Sequence, residues 1–212
     1  MNQIALPLDW PADAQAHEFL ADASNQAALR HLEHWGAWPV MAAVLVGPRK
    51  SGRTLLGRIF RARSGGTVID DAEAAAEEAL FHAWNAAQGS RKPLLLIAET
   101  PPGEWSVRLP DLRSRLAATP VVAIDPPSEA LVEALVAHLL ARRGLDARPD
   151  LTYWVAQRIE RSHVAVQRAV DALDAAALIH RRRLTIPLAR TALAEAGMLH
   201  ADIDLLSTVD RA

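Results

Sequence analysis

The stretch that decides the fold reads Gly47-Pro48-Arg49-Lys50-Ser51-Gly52-Arg53-Thr54. It follows the apolar run of residues 41–46, which has the pattern of a buried strand, and it precedes a helical pattern that begins at Leu55. A loop bracketed by two glycines between a strand and a helix is typical of a P-loop, whose backbone N–H groups cradle phosphate at a helix N-terminus. The sequence therefore predicts that Gly47, Gly52 and Thr54 bind the phosphates of a nucleotide.

Arg53 stands where a P-loop carries lysine. Lysine reaches the β- and γ-phosphates as a compact point charge, whereas the arginine side chain is longer and its guanidinium is planar. We therefore assign Arg53 to the nucleotide-binding set but expect weak binding of ADP or ATP, or none, and no robust intrinsic ATPase activity. Arg49 and Lys50 are the neighbouring cations that would compensate.

A second phosphate-related signal is Asp70-Asp71, which ends the short apolar run Thr67-Val68-Ile69. In a working NTPase, Thr54 would contact Mg²⁺, Asp70 would hold the ion through water, and Asp71 would orient the attacking water. The prediction is a Mg²⁺ site that exists only if nucleotide binds. The alternative is that the two acids cap the helix that follows them.

Apolar runs at residues 93–98 and 120–124 predict two further buried strands, and helical patterns at 24–35, 54–63 and 77–87 separate the strands. Ser24 is the expected N-cap of the first helix. Strands that alternate with helices indicate a parallel sheet. The connection between Ser64 and Thr67 is too short for another parallel crossover, which needs about a dozen residues, so we expect a reduced sheet.

Beyond Pro126-Pro127 the strand patterns stop, and helical patterns occupy residues 128–143, 150–161, 163–183 and 187–196. We expect an extended arm at residues 1–13, an α/β P-loop domain at 14–126 and a small all-α lid domain at 127–212.

Composition excludes several classes of function. The 212 residues carry a net charge of −2, so no general positive field favours autonomous binding of nucleic acid, and we expect DNA to be reached only through a partner. The absence of cysteine excludes disulfides. Since no signal peptide or membrane-spanning apolar run is present, we expect a cytoplasmic protein without membrane contact.

The order of parts resembles the DnaA branch of the AAA+ proteins and, within it, the Hda-type regulatory inactivators. The matching parts follow the P-loop and the Asp70-Asp71 strand: a strand ending Ala98-Glu99-Thr100-Pro101-Pro102, the segment Leu109–Leu116, another strand and a lid. The resemblance implies that Glu99 lies at the nucleotide and that Arg115 is an arginine finger acting in trans. Alternatively, Arg113 and Arg115 are solvated arginines near a helix end.

The first residues carry a second resemblance. Gln3-Ile4-Ala5-Leu6-Pro7-Leu8 resembles the hexapeptide by which such proteins dock on the β sliding clamp. In that interpretation, Gln3 hydrogen-bonds at a pocket rim, Leu6 and Leu8 fill apolar pockets, and Pro7 limits the entropy of the free peptide, with Ile4 between them. The alternative is an ordinary chain start, since alternating apolar residues are common there.

The departures from the family shape the expected function. Val164-Ala165 stand where the sensor-2 arginine of the family would fall, and no DNA-binding domain follows the lid, so we do not expect autonomous origin recognition. The resemblance implies a clamp-associated negative regulator of replication initiation that stimulates hydrolysis of DnaA-bound ATP. Its partners would be DnaA and the clamp on DNA, with a possible homodimer. The rival interpretations are an autonomous AAA+ ATPase or loader and a non-catalytic clamp adaptor.

Overall fold

The computed structural model describes residues 19–180 and 183–199, with eight α-helices and four strands. In chain order these are α1 (Ala23–Glu33), β1 (Ala42–Val46), α2 (Arg53–Ser64), β2 (Thr67–Ile69), α3 (Glu77–Ser90), β3 (Leu94–Ala98), α4 (Pro110–Ala117), β4 (Val121–Ala123), α5 (Glu129–Arg142), α6 (Pro149–Ala156), α7 (His163–His180) and α8 (Ile186–Glu195).

The four strands form one parallel sheet in the order β2-β3-β1-β4. The segment from Thr54 to Thr67 contains α2 and a tight turn, in which Gly65 takes a φ of 62° as the C-cap, and no strand. The prediction of a reduced parallel sheet flanked by helices and followed by a helical lid is confirmed.

Helices cover both faces of the sheet because successive strand residues point to opposite sides. On β1, Ala43 and Leu45 pack against α1 and α2, whereas Ala42 and Val44 pack against α3 and α4. All four of these residues are fully buried. The loops that follow the carboxyl ends of the strands therefore lie along one edge of a rigid core, where ligands of open α/β sheets bind.

The first helix begins two residues earlier than expected. Asp22, not Ser24, is the N-cap, and its carboxylate accepts the backbone N–H of Ser24 at 3.1 Å. It also accepts the hydroxyl of Ser128, the N-cap of α5, at 2.9 Å. Desolvation raises the pKa of Asp22, but the hydrogen bonds from Ser24 and Ser128 outweigh it and leave that pKa below its ordinary value. One carboxylate thus joins the starts of α1 and α5.

Helices α5 to α8 pack around a separate apolar core that includes Val136, Leu140, Leu173 and Leu193. Helix α6 ends at Ala156, earlier than the predicted 161, and the Ser162 hydroxyl caps the start of α7 by accepting the N–H of Ala165 at 3.1 Å. Within the described part of the chain, no helix combines the length and the apolar character needed to cross a membrane.

Candidate functional site

The P-loop connects β1 to α2 at the ligand-binding edge of the sheet. Gly52 is the N-cap of α2 with a φ of 87°, and a Cβ there would lie 3.0 Å from Cε2 of Phe19. A Cβ on Gly47 would lie 3.1 Å from Cβ of Ile124. A side chain would therefore crowd its neighbours at both positions, and Gly52 is also favoured by its left-handed backbone conformation. No side chain caps α2, so its first N–H groups are available to an anion, as at other helix N-termini.

Arg53 turns its charge toward an acid of the same protein. Its side chain is only 10% exposed, and its Nη2 lies 3.6 Å from Oε1 of Glu99, which follows β3. Its Nη1 is buried and finds no hydrogen-bond partner among the described residues. Arg49 reaches the same Glu99 oxygen at 3.6 Å but is 77% exposed, so this second ion pair is weaker.

Thr54 and Asp70 lie side by side. The hydroxyl of Thr54 donates to Oδ2 of Asp70 at 2.7 Å, an ordinary hydrogen-bond length. Asp71 is exposed with a φ of 50°, and its side chain does not cap the turn that follows it. The structure thus brings Thr54 and Asp70 together, and the side chain of Asp71 makes no capping hydrogen bond.

Lys50 is the remaining cation of the P-loop. Lys50 is exposed and has a φ of 65°. It lies near Asp171 of α7, whose pKa is lowered by a hydrogen bond from Arg143 and, to a smaller extent, by the Lys50 charge.

At the start of α7, Val164 is 41% exposed, and burial lowers the pKa of His163, which keeps that imidazole neutral at pH 7. Neither Val164 nor His163 supplies the positive charge that a sensor-2 arginine would have at this position.

Arg115 lies on α4 and packs against α3. Its guanidinium carbon is 4.5 Å from the ring centre of Phe81 and 5.3 Å from that of Trp84, and its Nε donates to Oδ1 of Asn85 at 3.0 Å. These neighbours are neutral. Among residues 19–180 and 183–199, no carboxylate forms an ion pair with Arg115, and its hydrogen bonds go to α3 and α4 rather than to the P-loop.

Helix α4 is anchored at its start by an acid on α3. The two carboxylate oxygens of Glu77 accept the backbone N–H groups of Arg108 at 2.8 Å and Leu109 at 2.7 Å. The hydrogen bond from the Arg108 N–H, followed by that from Leu109, lowers the pKa of Glu77. Arg113, one turn along, donates to the carbonyl of Val107 and is exposed. Arg113 and Arg115 therefore have different surroundings on the same helix.

Sequence reasoning missed the residues that hold the arginines in place. Glu73 accepts the backbone N–H of Glu99 at 2.7 Å, Phe19 covers Gly52, and Phe81 and Asn85 receive Arg115. No spacing rule marks these residues, because each contact joins elements that are distant in sequence. The predicted clamp-binding residues Gln3, Ile4, Leu6, Pro7 and Leu8 lie outside the described residues, and their role stays a prediction.

Comparison with known proteins identifies the helical segment and the fold. Residues 129–193 match the family model described as Hda, lid domain. An uncharacterised protein of Haemophilus influenzae (strain ATCC 51907 / DSM 11121 / KW20 / Rd) is 31% identical over 118 residues, which are 55% of this chain and 51% of that protein. The chain thus spans about half the length of this relative.

Solved structures share the whole architecture. Domain III of the replication initiation protein DnaA from Thermotoga maritima superposes with a TM-score of 0.68 at 16% identity, over 84% of this chain and 95% of that one. The replication initiator DnaA bound to AMPPCP and single-stranded DNA superposes with a TM-score of 0.61 at 13% identity, over 85% of this chain and 67% of that one.

The P-loop, the parallel sheet and the helical segment that follows them give this chain an AAA+-like fold, the fold of DnaA domain III. More particularly, residues 129–193, which run from α5 into α8, are similar to the Hda lid domain, and the fold as a whole is similar to that of DnaA domain III.

Proposed function

We propose that this protein is a clamp-associated negative regulator of chromosomal replication initiation, which stimulates hydrolysis of the ATP held by DnaA. Arg115 would enter the DnaA nucleotide site in trans as an arginine finger. The observation that carries this proposal is the environment of Arg115: its charge has no acidic partner among the described residues and makes no contact with the protein's own P-loop. That charge therefore remains available to an external anion.

The aromatic side chains suit this role. The guanidinium carbon of Arg115 lies over the rings of Phe81 and Trp84, while the Asn85 oxygen accepts from Nε. This arrangement orients the planar fork without neutralising it. Nη1 donates to the carbonyl of Asp111 at 3.3 Å, and the other outer N–H groups are left for phosphate oxygens. A finger of this kind stabilises charge that develops in the transition state, and fingers supplied in trans are worth roughly 10³–10⁵ in rate.

We further propose that the protein's own pocket binds ADP or ATP with Mg²⁺ weakly. The support is the P-loop backbone, the buried and unpartnered Nη1 of Arg53, and the Thr54 to Asp70 spacing. A related fold, DnaA, binds the nucleotide analogue AMPPCP. When bound, Mg²⁺ would shield the phosphate charges. Gly47 and Gly52 would let the backbone approach the phosphates, and Thr54 and Asp70 would hold the ion. Asp71 would face the terminal phosphate.

The protein would bind the clamp through residues Gln3 to Leu8. It would therefore contact DNA only indirectly and would encounter DnaA on the DNA that carries the clamp. The support here is the spacing of Gln3, Leu6 and Leu8 in the sequence. A homodimer stays a prediction.

The experiment that tests this function follows conversion of DnaA-bound ATP to ADP over time in the presence of DNA-loaded clamp and each variant. Arg115→Ala is expected to lower the stimulated rate of ATP hydrolysis at least about a hundredfold, since arginine fingers supplied in trans contribute roughly 10³–10⁵ in rate. Arg115→Lys should fail largely, because an ammonium lacks the planar fork. Arg113→Ala, an exposed arginine on the same helix, is the matched control and should keep most of the stimulation.

Three outcomes decide between the interpretations. Undiminished conversion with Arg115→Ala would exclude the finger. Absence of stimulation by the wild type, with clamp binding retained, would favour a non-catalytic adaptor. Rapid ATP turnover by the isolated protein would favour an autonomous ATPase. A variant with Gln3, Leu6 and Leu8 all changed to alanine separates clamp docking from the finger, because it should lose clamp retention in a pull-down while Arg115 stays intact.

A further inference from the structure

Glu99 occupies a special position at the edge of the sheet. It follows β3 directly, and β3 pairs with β1 so that Ala98 lies opposite Val46, the residue before the P-loop. The Glu99 carboxylate is therefore next to the loop that would hold phosphate. Its Oε1 lies 3.6 Å from both Arg49 Nη1 and Arg53 Nη2.

A second acid fixes the backbone of Glu99. Oε1 of Glu73 accepts the Glu99 N–H at 2.7 Å, and the other Glu73 oxygen is buried without a hydrogen-bond partner among the described residues. Asp70, hydrogen-bonded to Thr54, lies on the same edge. Three carboxylates therefore border the phosphate position, and only Glu99 among them is paired with the P-loop arginines.

The burial of Arg53 makes this pairing consequential. A guanidinium that is only 10% exposed needs a compensating anion, because an unpaired charge in a protein interior is strongly unfavourable. Glu99 supplies that anion in the free protein. A nucleotide phosphate that enters the pocket must either displace Glu99 from Arg53 or accept its repulsion, and the buried Nη1 is the part of Arg53 still without a partner.

We infer that Glu99 is a specificity-determining residue that limits the affinity of the pocket for phosphate-rich nucleotides by holding Arg53 and Arg49. The inference rests on the nucleotide pocket of the proposed function and deepens it. A carboxylate fixed beside the phosphate position acts as an internal competitor, so its effect must grow with the number of phosphates on the ligand.

The test is calorimetric titration of the full-length protein with ATP, ADP and AMP in the presence of Mg²⁺. Glu99→Gln keeps the shape of the side chain and removes its charge. We expect its affinity for ATP to rise about tenfold over wild type, with a smaller gain for ADP and the smallest for AMP. Glu99→Ala carries the same prediction if the glutamine variant does not fold. Glu104→Gln, an exposed acid five residues along the chain, makes the same change in net charge and should leave all three affinities unaltered.

Thermal unfolding provides a second readout. Without ligand, Glu99→Gln should be less stable than wild type because Arg53 loses its anion, and its stabilisation by saturating ATP should be larger than that of wild type. A purely structural Glu99 would lower stability without increasing ATP affinity, and that result overturns the inference. Equal gains for ATP, ADP and AMP also overturn it, as does a lack of ATP binding by both proteins.

The two proposals fail separately. If Glu99→Gln binds ATP more tightly but wild type does not stimulate hydrolysis of DnaA-bound ATP, the trans finger is wrong and the role of Glu99 stands. If stimulation depends on Arg115 but Glu99→Gln shows no phosphate-dependent gain, the finger stands and the role of Glu99 is wrong.

Discussion

Two arginines of this protein, Arg53 and Arg115, lie in opposite electrostatic environments. Arg53 is buried in the P-loop and its charge is compensated by Glu99 at 3.6 Å. Arg115 is half-buried on α4 and contacts two aromatic rings and an amide oxygen, none of which carries a charge. A carboxylate compensates the charge of the arginine with which it pairs. Aromatic rings orient an arginine but leave its positive charge available to an external anion.

In the proposed function, this contrast separates a pocket that binds the protein's own nucleotide weakly from an arginine that acts on the nucleotide of a partner. The pocket keeps the backbone geometry of phosphate binding while its P-loop cation is turned to an internal acid. The cation on α4 keeps its full charge at the surface. The environment of each arginine depends on the helix or loop that carries it. A substitution that weakens the packing of α4 therefore changes the surroundings of Arg115 while the P-loop stays intact.

The largest effect is expected at Leu112, the fully buried residue that anchors α4 to the sheet. Leu112→Ala should destabilise the protein by about 2–5 kcal/mol, through lost burial and the cavity left behind. Chemical denaturation measures the change. Leu109→Ala, on the same helix start but 36% exposed, is the matched control and should cost less than about 1 kcal/mol. Equal losses for both variants would mean that Leu112 does not anchor the helix.

The fold was predictable from sequence to a large extent because it follows from local patterns. The apolar runs that become β1 and β3 are completely buried apart from Val46, and the short Ser64–Thr67 connection limits the sheet to four parallel strands. Helix ends were less accurate. At the start of α1 the Asp22 carboxylate accepts the N–H of Ser24, and at the start of α7 the Ser162 hydroxyl accepts the N–H of Ala165; no periodicity reports these caps.

The candidate site was predictable only as a set of residues. The P-loop pattern located Gly52, Arg53 and Thr54, and spacing along the chain located Asp70. The direction of each side chain was not predictable, because it is set by partners on other strands and helices. The pairing of Arg53 with Glu99 spans the sheet edge, and the contact of Arg115 with Phe81 joins α4 to α3. Such contacts exist only once the elements have packed.

A smaller effect should appear in a double-mutant cycle between Arg115 and Phe81. Arg115→Met and Phe81→Leu remove the guanidinium and the aromatic face while keeping apolar volume. Their coupling should be about 0.5–1 kcal/mol, the usual value of a cation–π contact near a surface. Urea denaturation of the four proteins measures it. A parallel cycle between Arg113→Met and Phe81→Leu is the control and should give no coupling. If Arg115 gives none either, the rings do not hold Arg115 in place.

The smallest effect concerns the carboxylate that anchors the start of α4. Hydrogen bonds from the N–H groups of Arg108 and Leu109 lower the pKa of Glu77 below its ordinary value of 4.5. The folded state therefore favours the ionised form, so the contribution of Glu77 to stability is complete above about pH 4.5 and is lost as pH falls through the lower pKa of the folded state. Wild type should thus be more stable than Glu77→Gln near pH 7, and the difference should shrink on acidification below pH 4.5. Since the carboxylate is exposed, solvent screening keeps the effect small.

Glu78→Gln, the exposed neighbour on α3, controls for the loss of one acid from the helix start. Urea denaturation between pH 3 and 7 measures all three proteins, and a difference between wild type and Glu77→Gln that stays constant over this range would show that the anchoring of α4 does not depend on the Glu77 charge.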